Sequence, residues 1–324
     1  MADAKRAPTA TWAMTGRRCE VAGLRIAITG GTGFVGAHLI EAALAAGHEV
    51  AALARRDQSP RDGVTWIAGS LEDRDPLRVL ATGADAVIHV AGVLNAPTRE
   101  GFEAGNVTGT LAMLAAATAG GVHRFVHVSS LAAREPTLSL YGGSKARSEE
   151  LVETSGLDWV IVRPPAVYGP GDRETLELFK MARTGVMLMP PPGRFSLLHV
   201  DDLALLLLAV VDEAAPSKVR FEPDDGRPNG WTHKEFAAAL GAAVGKKPLV
   251  ISAPEAALRL AARADRLVRG DKARLTLDRA AYFAHRDWVV DPEHVPSLGL
   301  WTPVIPTAAG LADTARWYAD QRWL

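Results

Sequence analysis

The stretch AITGGTGFVGAHL, residues 27–39, sets four glycines, Gly30, Gly31, Gly33 and Gly36, between two apolar runs. Glycine weakens strands and helices, so its repetition marks a place where the backbone must turn sharply or be approached closely. The preceding LRIAIT (24–29) reads as a strand, and FVGAHLIEAALAAG (34–47) has a helical pattern. The glycines therefore form a strand-to-helix turn, with φ values open to glycine. At the helix N-terminus, backbone N–H groups uncovered by any Cβ suit a pyrophosphate. Gly36, one turn into the helix, is read as the point where that helix packs closely on the strand.

The same alternation continues outward. HEVAALA (48–54), VTWIAG (64–69), DAVIHVAG (85–92), RFVHVSS (124–130) and DWVIVRP (158–164) are short apolar runs of strand type, separated by helix-length segments at 72–81, 102–119 and 142–155. Nearly continuous apolar strands between helices predict a parallel sheet covered on both faces. The fold class is α/β, a doubly wound Rossmann sheet with a smaller C-terminal substrate-binding lobe. The expected division is a flexible N-terminal extension (1–23), a dinucleotide-binding domain (24–165) and a mainly substrate-binding lobe (166–324). Residues 196–225 are expected to return to the sheet through a buried helix after His199 and a strand at KVRFEP (218–223).

Composition narrows the function classes. A formal net charge of −1 offers nothing to hold nucleic acid by its phosphates, and a single cysteine, Cys19, excludes an internal disulfide or a cysteine metal cluster. The longest apolar run, LALLLLAVV (203–211), is too short to span a bilayer. The first 23 residues lack the apolar core of a secretory signal. The expectation is a cytoplasmic protein. His199, Asp201 and Asp202 in HVDD are read as helix capping, and His89 and His127 as core residues, so no metal is expected.

Two further patterns carry chemistry. At the end of the second strand, ALARRDQ places Arg55 and Arg56 where a carboxylate would bind the ribose of NAD. Guanidinium groups there suit the 2′-phosphate of NADP, with NAD left open through Asp57. In LYGGSK, Tyr141 and Lys145 lie four residues apart on one helix face. An ammonium beside a phenol draws its pKa toward the working range and makes it an acid or base. Ser129 and Ser130 end the fifth strand, where a hydroxyl can hold a substrate oxygen.

With these residues in place, the chain resembles the extended short-chain dehydrogenase/reductase family, also called NAD-dependent epimerase/dehydratase. The matching motifs are TGGTGFVG, HVAG, NVTGT, VSS, YGGSK, RPPAVYGPGD and HVDDLA, in family order, with a similar tail in DWVVDPEHVPSLGLWTP. The resemblance implies that Tyr141 is the acid/base, that Lys145 lowers its pKa and holds the nicotinamide ribose, and that Ser130 rather than Ser129 polarises the substrate oxygen. It places Gly30, Gly33, Phe34, Val35 and Gly36 at the pyrophosphate, and Ser70 and Leu71 near adenine. Ala91, Gly92, Asn106 and Pro164 would border the cofactor. Dimerisation through the helices bearing the Tyr/Lys pair is a further expectation from the family.

The substrate is read from departures. Ala166 stands where the family's sugar-nucleotide epimerases carry an asparagine, and Phe195 where they carry an arginine. Both departures remove polar contacts to a diphosphate. Val186, Met187, Leu188 and Met189 are expected beside the cleft. RPPAVYGPGD and HVDDLA resemble the steroid-dehydrogenase-like and flavonol-reductase-like branch. The expectation is NADPH-dependent reduction of a ketone on a hydrophobic substrate, such as a 3-keto sphingoid, a 3-oxo-ceramide or a sterol-like ketone. A nucleotide-sugar epimerase or dehydratase, and a non-catalytic dinucleotide-binding subunit, are the alternatives. PEAALRLAARADRLVRG (254–270) carries leucines and alanines on one side and Arg259, Arg263, Arg266 and Arg269 on another. That pattern suits either contact with the inner face of a membrane or a surface helix with its arginines in water.

Overall fold

The computed structural model describes residues 23–270, 273 and 275–324. The expected N-terminal extension, apart from Gly23, lies outside the described residues.

The chain begins as the glycine turn demands. Strand β1 (Arg25–Thr29) enters the turn and helix α1 (Phe34–Ala45) leaves it. Strands β2 (Glu49–Ala54) and β3 (Val64–Ala68) follow, then α2 (Arg74–Ala81) and β4 (Ala86–His89). A short helix α3 (Arg99–Phe102) runs through a π-helical turn (Glu103–Thr108) into α4 (Gly109–Ala119). Strand β5 (Arg124–Val128), α5 (Leu140–Glu153) and β6 (Asp158–Val162) complete this half.

Beyond it come β7 (Ala166–Tyr168), α6 (Leu176–Thr184), β8 (Val186–Met189), β9 (Arg194–Phe195) and β10 (Leu197–His199). Helix α7 (Val200–Ala209) leads to β11 (Val219–Phe221), β12 (Trp231–Thr232), α8 (His233–Ala243) and β13 (Leu249–Ser252). The last elements are α9 (Glu255–Arg269), α10 (Leu277–Ala284), β14 (Asp287–Trp288) and α11 (Thr307–Asp320).

The main sheet is parallel and seven-stranded, in the order β11-β6-β5-β4-β1-β2-β3. Successive side chains of a strand point to opposite faces, and here both faces are apolar. Ile26, Ile28, Ala52, Ile88, Val126 and Val160 join one core with Leu39 and Ile40 of α1 and Leu203, Leu206 and Leu207 of α7. Ala27, Leu53, Val87, Phe125 and Ile161 join the opposite core with α2, α4 and Val152 of α5. The doubly wound fold follows directly. Strand order reverses between β1 and β4, and open parallel sheets bind ligands at the carboxyl ends of the strands beside that switch.

The smaller lobe has its own core. Phe179 and Ala182 of α6 pack with Met187 and Met189 of β8, Phe236 and Leu240 of α8, and Leu311 and Tyr318 of α11. This corrects one expectation. Met187 and Met189 fill that core, while Val186 and Leu188 point the other way into solvent. Strand alternation splits the run between two environments, and neither belongs to the cluster around Tyr141.

The HVDD reading is corrected too. The N-cap of α7 is His199, whose Nδ1 accepts from the Asp201 amide at 3.2 Å. Asp201 instead bonds His38 of α1 at 2.5 Å, and Asp202 accepts from the amides of Val304 and Ile305 at 2.9 and 3.2 Å. The aspartates tie α7 to α1 and to the C-terminal segment, because both partners lie far off in sequence.

Candidate active site

The glycine turn lies at the switch point. Gly30 has φ +74°, and a Cβ there would meet the Ala91 amide nitrogen at 2.7 Å. The turn therefore presses against the end of β4, where the Ala91 amide donates to Thr29 Oγ1 at 3.2 Å. A Cβ on Gly36 would lie 2.1 Å from the Gly30 carbonyl oxygen. Gly36 is thus required by the turn itself, not by packing of the helix on the strand as expected.

Gly33 caps α1 without a side-chain hydrogen bond, and the first turn holds no acidic residue. Phe34 and Val35 open the helix, half-buried. An uncapped, acid-free helix N-terminus fits the pyrophosphate of a dinucleotide. Arg55 and Arg56, beyond β2, are exposed, and neither guanidinium has a partner among the described residues. Ser70 is engaged with Asp73, which accepts from its amide and its hydroxyl, each at 2.8 Å. Leu71 packs on α4, where a Cβ added to Gly109 would meet its Cδ1 at 2.6 Å.

Across the switch, Gly92 is exposed, with Asn106 and Lys145 beside it. Asn106 sits in the π-helical turn, and both ends of its amide are engaged. Its Oδ1 accepts from the Val93 amide at 2.6 Å, and its Nδ2 donates to the Val93 carbonyl at 3.0 Å and to Ser144 Oγ at 2.9 Å. Asn106 therefore positions the Gly92–Val93 segment against α5, a role that its expected place at the cofactor did not include. Pro164 is buried after β6, its carbonyl accepting from the Leu131 amide at 3.1 Å.

Helix α5 carries Tyr141 and Lys145 on one face, and its N-cap Ser139 accepts from the Gly142 amide. The fifth strand ends at Val128, and the two serines after it separate. Ser129 donates its hydroxyl to the buried Glu149. Ser130 caps a short 3-10 turn (Leu131–Arg134), accepting from the Ala132 amide at 3.2 Å. Ser130 also hydrogen-bonds the Tyr141 phenol. Of the two serines, Ser130 is the one beside the phenol.

Burial pushes the Tyr141 phenol above its ordinary value, and the Ser130 hydrogen bond only partly offsets that. The expected depression by Lys145 is not present. Burial lowers Lys145 itself to about 8, against the opposing pull of Glu149, and its ammonium donates to the Val128 carbonyl at 2.8 Å. Desolvation is the largest influence on both groups.

Behind the site lies an ionic network that the sequence reading did not find. Arg163 bonds Glu149 at 2.6 Å and Glu222 at 3.2 Å, and Arg134 reaches Glu222 at 3.2 Å. Glu149 and Glu222 are both buried. Glu149 is four residues beyond Lys145 on the same helix, which was a usable signal; Glu222 was not.

The far side of the phenol is apolar. Tyr141 packs in a cluster with Leu131, Leu138, Phe195, Tyr282 and Trp288. Tyr282 and Trp288 stack at 4.7 Å, so α10 and β14 bring the smaller lobe against the phenol. The model of the NAD dependent epimerase/dehydratase family matches residues 26–221, which include the glycine turn and the Tyr141/Lys145 pair. The chain belongs to that family. As an epimerase/dehydratase-family protein it is an NAD(P)-dependent oxidoreductase of the extended short-chain type.

Among its relatives, the ceramide reductase of Caulobacter vibrioides is 37% identical over 312 residues, covering 92% of this chain and 96% of that protein. A 4-hydroxy-2-methyl-3-oxo-4-farnesyl-3,4-dihydroquinoline-1-oxide ketoreductase of Stigmatella aurantiaca is 31% identical, covering 62% of this chain and 68% of its own length. The structure of MoeE5 in complex with UDP-glucose and NAD superposes with a TM-score of 0.72 at 21% identity, covering 93% of this chain and 100% of that one. That last likeness establishes the fold.

Proposed function

We propose that this family member is an NADPH-dependent reductase of a ketone on a lipid-like substrate, with 3-oxo-ceramide or a 3-keto sphingoid as the substrate class. The observation that carries the reading is the surround of Tyr141, which packs with Leu131, Leu138, Phe195, Tyr282 and Trp288 in one apolar cluster. Phe195 stands where a diphosphate-binding site would need a cation, and its ring lies 5.3 Å from His233 and from Phe236. Similarity to a ceramide reductase and to a ketoreductase of a farnesylated substrate supports the same class.

The residues then have distinct tasks. The Ser130 hydroxyl holds the carbonyl oxygen, and the Tyr141 phenol, kept protonated by burial, gives that oxygen its proton. Lys145 stands one helical turn away, fixed by the Val128 carbonyl. A bound nicotinamide supplies the hydride. The exposed Arg55 and Arg56, without partners among the described residues, favour the 2′-phosphate of NADPH.

The test is NADPH oxidation by the purified protein with detergent-dispersed 3-oxo-ceramide, with UDP-glucose as the competing substrate and NADH as the competing cofactor. Turnover of the ketone is expected with NADPH in preference to NADH, with none of the UDP-sugar. Tyr141→Phe should slow it by about 10²–10⁴-fold. Turnover of the UDP-sugar, or full activity in Tyr141→Phe, would overturn the reading.

A further inference from the structure

Helix α9 has its apolar crest on the wrong side for a surface helix. Its inner face, with Ala262 buried and Leu258 and Asp265 half-buried, packs on α10, and Asp265 accepts from the Leu275 amide at 2.8 Å. A helix docked in this way ordinarily turns polar residues to water on its opposite side. Here that side bears Leu260, Ala264 and Leu267, spaced i, i+4 and i+7, with Val268 next to them. Leu260, Leu267 and Val268 are 67%, 87% and 83% exposed.

The charges beside this crest are one-sided. Both acidic residues of α9 are paired, Glu255 with Arg259 at 2.6 Å and Asp265 with Arg269 at 3.1 Å. Arg263 and Arg266 remain exposed, with no partner among the described residues.

The element that leads into α9 repeats the pattern. Strand β13 pairs in parallel with β8, Leu249 opposite Val186 and Ile251 opposite Leu188, and all four side chains are exposed. The exposed Lys246 and Lys247 precede that strand. An apolar crest flanked by unpaired cations is the composition of a helix that lies in the headgroup layer of an anionic bilayer.

We infer that α9 docks this protein on an anionic lipid surface through Leu260, Leu267 and Val268, with Arg263 and Arg266 at the headgroups. The purpose of such docking rests on the lipid-substrate reading above. Helix α10, on which α9 packs, carries Tyr282 of the phenol cluster, so one helix separates a bilayer under α9 from that apolar cluster.

Flotation of the full chain with phosphatidylcholine vesicles, with and without phosphatidylglycerol, tests the docking separately from catalysis. Binding is expected on the anionic vesicles and should weaken as salt rises. Leu267→Glu/Val268→Glu and Arg263→Gln/Arg266→Gln should each weaken it about tenfold or more, while both retain turnover of a water-soluble short-chain ketone. The inference fails if the wild-type protein does not float with anionic vesicles, or if both double variants float as it does. It also fails if Leu267→Glu/Val268→Glu turns a dimer into a monomer in sedimentation, because the crest would then face a second copy. Vesicle binding without ketone turnover would sink the reductase reading alone.

Discussion

At the scale of single residues, the informative contrast is between two adjacent serines. Ser129 and Ser130 share a sequence context, yet one hydroxyl is held by the buried Glu149 and the other lies at the Tyr141 phenol. Replacing each by alanine should separate structure from chemistry. Ser130→Ala is expected to lower kcat about 10²-fold, as for loss of one donor to a reacting oxygen, and to cost about 1 kcal/mol of stability for the lost cap on Ala132. Ser129→Ala is expected to keep most of its rate and to lose about 1 kcal/mol of stability, because the Glu149 carboxylate oxygen loses one of its two donors and keeps Arg163 Nε at 2.9 Å. Steady-state kinetics beside a denaturant melt reads both, and a reversed pattern would reassign the two residues.

At the scale of elements, the glycine turn, the π-helical turn and the end of β4 act as one assembly. Gly30 presses on Ala91, Gly36 presses on Gly30, and Asn106 clamps Val93 just beyond Gly92. A side chain at Gly36 has no flexible neighbour to displace, since the obstacle is the backbone oxygen of Gly30. Gly36→Ala should therefore open the turn and weaken dinucleotide binding about tenfold or more, a change of at least ~1.4 kcal/mol measurable by calorimetry. Unchanged affinity would show that the turn tolerates the methyl and that its geometry does not set the binding. The VMLM strand teaches the opposite lesson: four apolar letters in a row describe two faces, and only pairing with β13 reveals which face meets water.

At the scale of the whole molecule, the sheet holds a pair of buried histidines beneath the site. His89 of β4 and His127 of β5 are register partners whose rings stack at 5.6 Å. His89 bonds Thr29 and Thr110 at 2.8 and 3.1 Å, while His127 bonds Ser148 at 2.9 Å and its buried Nδ1 has no hydrogen-bond partner among the described residues. Burial, reinforced by Lys145, pushes His89 down to about 3 from 6.5 and lowers His127 as well. Below pH 6.5 the unfolded chain takes up protons that the folded chain refuses. Stability is therefore complete above that pH and falls as pH drops toward 3, by up to about 1.4 kcal/mol per pH unit for each such histidine. Urea unfolding at pH 7 and pH 5 should show the loss. His89→Gln, which keeps hydrogen-bonding capacity toward both threonines, should show a smaller one. Equal losses in the two proteins would remove His89 from the account.

The amino-acid sequence by itself determined the parallel sheet, the glycine turn and the spacing of Tyr141 and Lys145, because each is written within one strand, one turn or one helix, where local periodicity is sufficient. The seventh strand was also legible, since KVRFEP carries the pattern of β11. Only the tertiary structure decided what surrounds the phenol. Tyr282 and Trp288 arrive from elements more than a hundred residues downstream of Tyr141, and Glu222 reaches Arg163 from 59 positions away. It also decided the state of Lys145. Spacing places a charge one turn from the phenol, but the protonation balance depends on how much water is excluded, and exclusion is a property of the packed molecule.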